Sequence, residues 1–190
     1  MNRPNTGSEP DPWRVPVIVA QIPDTGLHRE IEASAAERKV MAEVAGVREI
    51  LSANASFDVV PKSGGRLHVT GHVRARVGQT CVVTLDPIES DVDEEVDLTF
   101  APEAEARRLA DLIAEGRDDK DSSEVADPPE PIVNGIIDLG RLATDALFLA
   151  IDPYPRKEGV VFEAEVTAPD PEDHPFAALK ALQDGKKKSE

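Results

Sequence analysis

Residues 66–100, RLHVTGHVRARVGQTCVVTLDPIESDVDEEVDLTF, alternate in polarity over most of their length. From Arg66 to Val77 the odd positions are Leu67, Val69, Gly71, Val73, Ala75 and Val77. The even positions are Arg66, His68, Thr70, His72, Arg74 and Arg76. Further on, Ile88, Val92, Val96, Leu98 and Phe100 share one parity, and Glu89, Asp91, Asp93, Glu95 and Asp97 share the other. Successive side chains of a strand point to opposite faces, so a period of two predicts two long half-buried strands. One face of this ribbon belongs in a core. The other carries base on the first strand and acid on the second.

The natural reversal point is Asp86-Pro87. A reversal centred there sets Val73 opposite Phe100, Ala75 opposite Leu98, Val77 opposite Val96 and Cys81 opposite Val92. On the charged face Arg76 then meets Asp97, Thr80 meets Asp93, Thr84 meets Glu89 and Arg74 meets Thr99. Arg66 to His72 extend beyond the acidic strand in this register. A slip of one residue would turn every side chain of one strand to the wrong face. Gly78 marks a candidate bulge.

The flanks supply fewer and shorter elements. Residues 13–20 (WRVPVIVA) read as a strand, with Pro16 suited to an edge. A turn follows at 23–26. Residues 30–44 place Ile31, Ala35, Val40 and Val44 near helical spacing and predict a helix ending at Gly46. Residues 47–60 are strand-like, and 61–65 (PKSGG) form a turn. Residues 102–114 predict a short helix and 132–137 a short strand. Residues 138–150 predict an amphipathic helix capped by Asp138, with Leu139, Leu142, Ala146, Leu149 and Ala150 on its inner face. Residues 115–131 are too charged and proline-bearing to bury their surface and read as a flexible linker. So do the tails, 1–11 and 166–190, the latter with a short apolar helix at 175–183. With 190 residues, the expected fold is one α+β domain over 12–165. Its sheet is curved, mostly antiparallel and barrel-like, with two to three helices.

Charge is unevenly spread. The formal net charge is −16, yet residues 86–178 alone carry −19, with 26 Asp/Glu against 7 Lys/Arg. Such a chain repels nucleic acid as a whole and attracts basic partners. An RNA contact therefore needs a local basic patch. The N-terminus has no apolar core of a secretory signal, and no apolar run approaches the ~20 residues of a membrane span. A cytoplasmic protein with no membrane partner is expected.

Chemistry is sparse. Cys81 is the one cysteine, so no intramolecular disulfide forms, and it reads as a small buried apolar residue. No nucleophile constellation, phosphate loop or dinucleotide fingerprint occurs. His68 and His72 share a strand face but lie ~13 Å apart at ~3.3 Å per residue, too far for one metal. No enzyme activity, cofactor or metal site is expected. The basic stripe Arg66, His68, His72, Arg74 and Arg76 has two readings: a surface that tracks phosphates, or a cross-strand ladder with the acidic strand. Phe176, Leu179 and Lys180, after the acidic stretch, form a candidate peptide-like docking motif.

The order of short motifs resembles a known family. A long strand leads into Cys81 and Leu85-Asp86-Pro87. An acidic strand ends at Leu98-Thr99-Phe100-Ala101-Pro102, and an acidic gap follows. Then come Ile137-Asp138-Leu139 with Leu142, Ala146, Leu147, Leu149 and Ala150, then Pro153-Tyr154-Pro155, and last His174-Pro175-Phe176-Ala177-Ala178-Leu179. This is similar to the YceD family of bacterial and plastid large-ribosomal-RNA accumulation proteins, over about residues 12–190. The resemblance implies a role in synthesis, processing or stability of 23S rRNA, exerted by binding. It implies as partner that RNA or the pre-large-subunit particle. The −19 charge on residues 86–178 motivates an alternative partner, a basic large-subunit ribosomal protein that the chain would escort. Many family members carry Cys-x-x-Cys at the strand end and a later cysteine. Here Val82, Val83 and Thr84 follow Cys81, and residues 154–162 hold no cysteine, so a metal role does not carry over.

Overall fold

The computed structural model describes residues 11–114 and 128–161. The expected tails and most of the linker, with Phe176, Leu179 and Lys180, lie outside the described residues. The chain divides into units 1–158 and 159–190, and every described element belongs to the first.

The architecture is α+β. In chain order the elements are β1 (Pro16–Ile18), β2 (Leu27–Glu32), α1 (Ala35–Ala45), β3 (Glu49–Pro61) and β4 (Leu67–Thr80). There follow β5 (Pro87–Pro102), α2 (Glu103–Ala114), β6 (Glu130–Ile132), β7 (Ile136–Asp138) and α3 (Leu139–Ala150). Strands β2-β3-β4-β5-β6 form one sheet, antiparallel except for the β5–β6 pair. Its end strands differ, so the sheet is open and no barrel closes. Strands β1 and β7 form a separate antiparallel pair. Glu130 and Pro131, expected in the linker, belong to β6.

The two long strands form as the alternation requires, but in a different register. Leu67 pairs with Phe100, Ala75 with Val92, and Thr80 with Pro87. The reversal is not a tight turn at Asp86-Pro87. Residues 81–86 form the loop, closed by Cys81 N–H donating to Asp86 O at 2.9 Å and Leu85 N–H donating to Cys81 O. Leu85 takes a left-handed φ of 62° within it. The acidic strand is thereby displaced by six positions from the expected pairing. Six is even, so both apolar parities still meet on one face. The bulge lies on β3, between Ile50 and Ser52, and not at Gly78. It flips the parity of β3, which is why Ile50 and Ala53 are both buried.

Residues 30–32 extend β2, and α1 starts later than the spacing suggests. Ser34 fixes that start through a capping box: its hydroxyl accepts from Glu37 N–H, and the Glu37 carboxylate accepts from Ser34 N–H. Gly46 ends α1 at φ 66°. Residues 132–137 are not one strand, because a turn at Asn134-Gly135 separates β6 from β7.

The core fills the apolar face of the sheet, where Phe57, Val59, Val69, Val73 and Val77 are fully buried. Trp13, Met41 and the inner side of α3 join the same cluster. That inner side is Leu139, Ala143 and Leu147, together with Gly140 and Thr144. Leu149, expected inside, is 88% exposed. Asp138 joins α3 to the N-terminal segment. Its Oδ1 accepts from the N–H groups of Gly140 and Arg141, and from Val15 at 2.8 Å.

Gly71 sits opposite Phe57 on the apolar parity of β4. A Cβ there would lie 2.2 Å from the Ser56 carbonyl oxygen and 2.6 Å from Phe57 Cδ1. Gly71→Ala is therefore expected to cost about 1–3 kcal/mol through strain on rigid backbone. Urea unfolding checks this: the midpoint should fall with an unchanged slope, and an unaltered midpoint contradicts the packing.

Candidate functional site

The register determines what the charged face of the sheet can do. Every member of the basic stripe finds a carboxylate. Arg74 lies opposite Asp93, and its Nε donates to Asp93 Oδ2 at 3.0 Å. Arg76 lies opposite Asp91 and donates to Glu89 Oε2 at 2.6 Å. His68 Nε2 is 2.8 Å from Asp97 Oδ1. His72 faces Glu95 and is 3.8 Å from Asp93. Arg66, beyond the strand start, pairs with Glu105 of α2, which raises the guanidinium pKa and lowers that of the carboxyl. The expectation that Arg66 to Arg74 lack a facing carboxylate is thus corrected. It failed because the loop takes six residues, which brings the acidic strand alongside the basic one.

The ladder leaves acid over. Asp91 and Glu95 on this face of β5, and Glu94 on the opposite face, have no cation within 4.0 Å among the described residues, and all three are exposed. On β2, Glu30 and Glu32 are exposed as well. Exposed pairs such as Arg74–Asp93 are weak, because water screens the attraction and both side chains lose freedom.

A second cluster was not visible in the sequence. The loop 81–86 is clamped by residues 152–157. Val82 N–H donates to Pro155 O at 2.9 Å, Gln79 Nε2 donates to Asp152 O at 2.8 Å, and Lys157 Nζ is 3.1 Å from Asp86 Oδ2. Lys157 holds the Asp86 carboxyl below the usual range, chiefly by that hydrogen bond. Cys81 is buried as expected, but it does not face Val92. Its Sγ accepts from the backbone N–H of Thr84 at 3.4 Å and of Lys157 at 3.3 Å. Hydrogen bonding to the sulfur, from the Thr84 side chain foremost and then from these N–H groups, brings the thiol down to about 6, while burial acts in the opposite direction. Asp86 and Lys157 are remote in sequence, and no local pattern announces their contact. Among the described residues no group of three His, Cys, Asp or Glu side chains is placed to hold a metal. No helix among them is long and apolar enough to cross a membrane.

The family model described as "Large ribosomal RNA subunit accumulation protein YceD" matches residues 69–183. That is more than half of the chain. The chain belongs to the YceD family. The match begins inside β4, so it covers nearly all of the β4–β5 ribbon and the chain after it as far as residue 183, and leaves residues 1–68 and 184–190 outside. No curated protein and no solved structure matches the chain. Membership supports a role in the accumulation of large-subunit ribosomal RNA, and the ribbon just described is the part of the fold that the family model begins on.

Two outcomes follow from the local electrostatics. Cys81 has no accessible surface, so its lowered pKa should not make it reactive in the native state. Alkylation by iodoacetamide at neutral pH is expected to run at least ~tenfold slower in the native chain than in denaturant, limited by local opening. Equal rates contradict the clamp. His28 lies 2.8 Å from Asp58 Oδ1, whose hydrogen bond and charge raise its pKa above 6.5. The raised folded value means that this pair stabilises fully below pH 6.5, and its contribution is lost as pH rises through the folded pKa. Asp58→Asn should lower the NMR titration midpoint of His28, and an unmoved midpoint contradicts the pairing.

Proposed function

We propose that this chain supports large-subunit rRNA accumulation as a binding factor rather than an enzyme. Its charged sheet face engages a basic protein component of the pre-large-subunit particle. The observation that carries this reading is the ladder. Arg66, His68, His72, Arg74 and Arg76 are matched within the chain, and the surplus on β5 is acidic. A phosphate backbone needs clustered free cations, whereas a surplus of carboxylates steers a basic polypeptide. Such a protein is difficult to keep soluble before it meets its RNA. An acidic escort would deliver it and thereby promote accumulation of the 23S rRNA it binds.

A second reading rests on a specific observation. Arg74 and Arg76 are more than half exposed despite their pairing. Surface pairs of this kind exchange readily, so these cations can trade a carboxylate for an rRNA phosphate.

One experiment separates the readings. The tagged chain is recovered from cells at moderate salt, with and without RNase, and its partners are identified. Retention of basic large-subunit proteins after RNase, and their release by high salt, is the expected result. Loss of every partner with the RNA contradicts the escort. In parallel, the charge-reversed triple variant Arg66→Glu, Arg74→Glu, Arg76→Glu should keep its particle association under the first reading and lose it under the second.

A further inference from the structure

The hydrogen-bond phase of the sheet exposes a further feature of β5. In an antiparallel pair, alternate residues bond to the neighbour and the intervening ones point away. The bond from Cys81 N–H to Asp86 O, with Thr80 paired to Pro87, sets this phase. The even residues of β5, Ile88 to Phe100, therefore bond to β4. The N–H and C=O groups of Glu89, Asp91, Asp93, Glu95, Asp97 and Thr99 point to the other side. There β6 covers only Phe100–Pro102, and from Pro87 to Thr99 no described strand pairs with that edge. The five acidic residues are thus the ones whose backbone lies open among the described residues. Pro87, which has no N–H, occupies an outward position, as the phase requires.

We propose that the open edge of β5 receives an extended Lys/Arg-rich polypeptide segment as an added strand. This deepens the escort reading of the sheet face and rests on it. Two independent features define the guest. The free backbone groups between Glu89 and Thr99 accept about ten residues of strand. Charge complementarity sets which strand enters. The face that carries Glu89, Asp91, Asp93, Glu95 and Asp97 places guest lysines or arginines beside carboxylates. On the opposite face Val92 and Leu98 are half-buried and the exposed Glu94 lies between them, so the intervening guest residues are apolar at both ends and tolerate a further cation beside Glu94. The guest sequence is therefore an alternation of basic and apolar residues. Charged edges also keep sheets from pairing with each other. An acidic edge repels a second copy of itself and still admits a strand of opposite sign.

The test uses the full-length chain and four labelled probes, with binding read by fluorescence anisotropy. The parent probe is a peptide of about ten residues alternating lysine and valine. The second carries N-methyl groups on its lysine amides, the third on its valine amides, and the fourth is polyuridine RNA. Alternation fixes which amides face β5, so only one methylated peptide should lose affinity, by about tenfold or more, while the other binds as the parent does. Equal effects of the two methylations overturn the strand addition but leave the escort reading intact. A parent peptide that does not bind overturns the addition as well, and if polyuridine then binds, the escort reading falls with it.

Discussion

The pairing of β4 with β5 is the constraint on which the rest depends. It spans Leu67–Thr80 and Pro87–Phe100 without a break, and its phase is set by the six-residue loop between them. That loop decides which apolar side chains share the core and which carboxylate each cation meets. It also decides which backbone groups of β5 remain open. The loop in turn is held from outside the sheet, by the carbonyl of Pro155, by Lys157 and by the hydrogen bonds that end on Cys81. Segment 152–157 thus acts on the charged face at a distance, by keeping the ribbon in register.

The faces of the ribbon were legible in the sequence and its register was not, for one physical reason. Polarity alternates with a period of two, so any displacement by an even number leaves every parity satisfied. Distinguishing the two registers needs the length of the loop, and that length follows from contacts with residues about seventy positions later. The wrong register made the basic stripe look unmatched, and the matched ladder reverses the balance between phosphate and protein as partner. The α1 boundary was misread similarly. Residues 30–32 fit both a strand and a helix start, and only the Ser34–Glu37 capping box settles the matter. The inner face of α3 was turned because its sequence, LGRLATDALFLA, is apolar nearly all round. There the close approach of the Trp13 carbonyl to Gly140 and the bond from Val15 to Asp138 choose the buried side.

Cys81 shows how one residue satisfies two demands. It directly follows the long strand and opens the loop. Here backbone N–H groups and the Thr84 side chain surround the sulfur, and the loop is closed by hydrogen bonds and by the Lys157–Asp86 pair. The chain thus stabilises this corner of the fold with its own polar groups.

The matched ladder and the acidic open edge both follow from the register of β4 and β5. The most direct measurement is the set of cross-strand Hα–Hα contacts in an NMR spectrum of the labelled chain. Such contacts are short only between non-hydrogen-bonded partners. They are expected between Arg74 and Asp93 and between Arg76 and Asp91. A contact between Arg76 and Asp97 instead would restore an unmatched basic stripe and contradict the account.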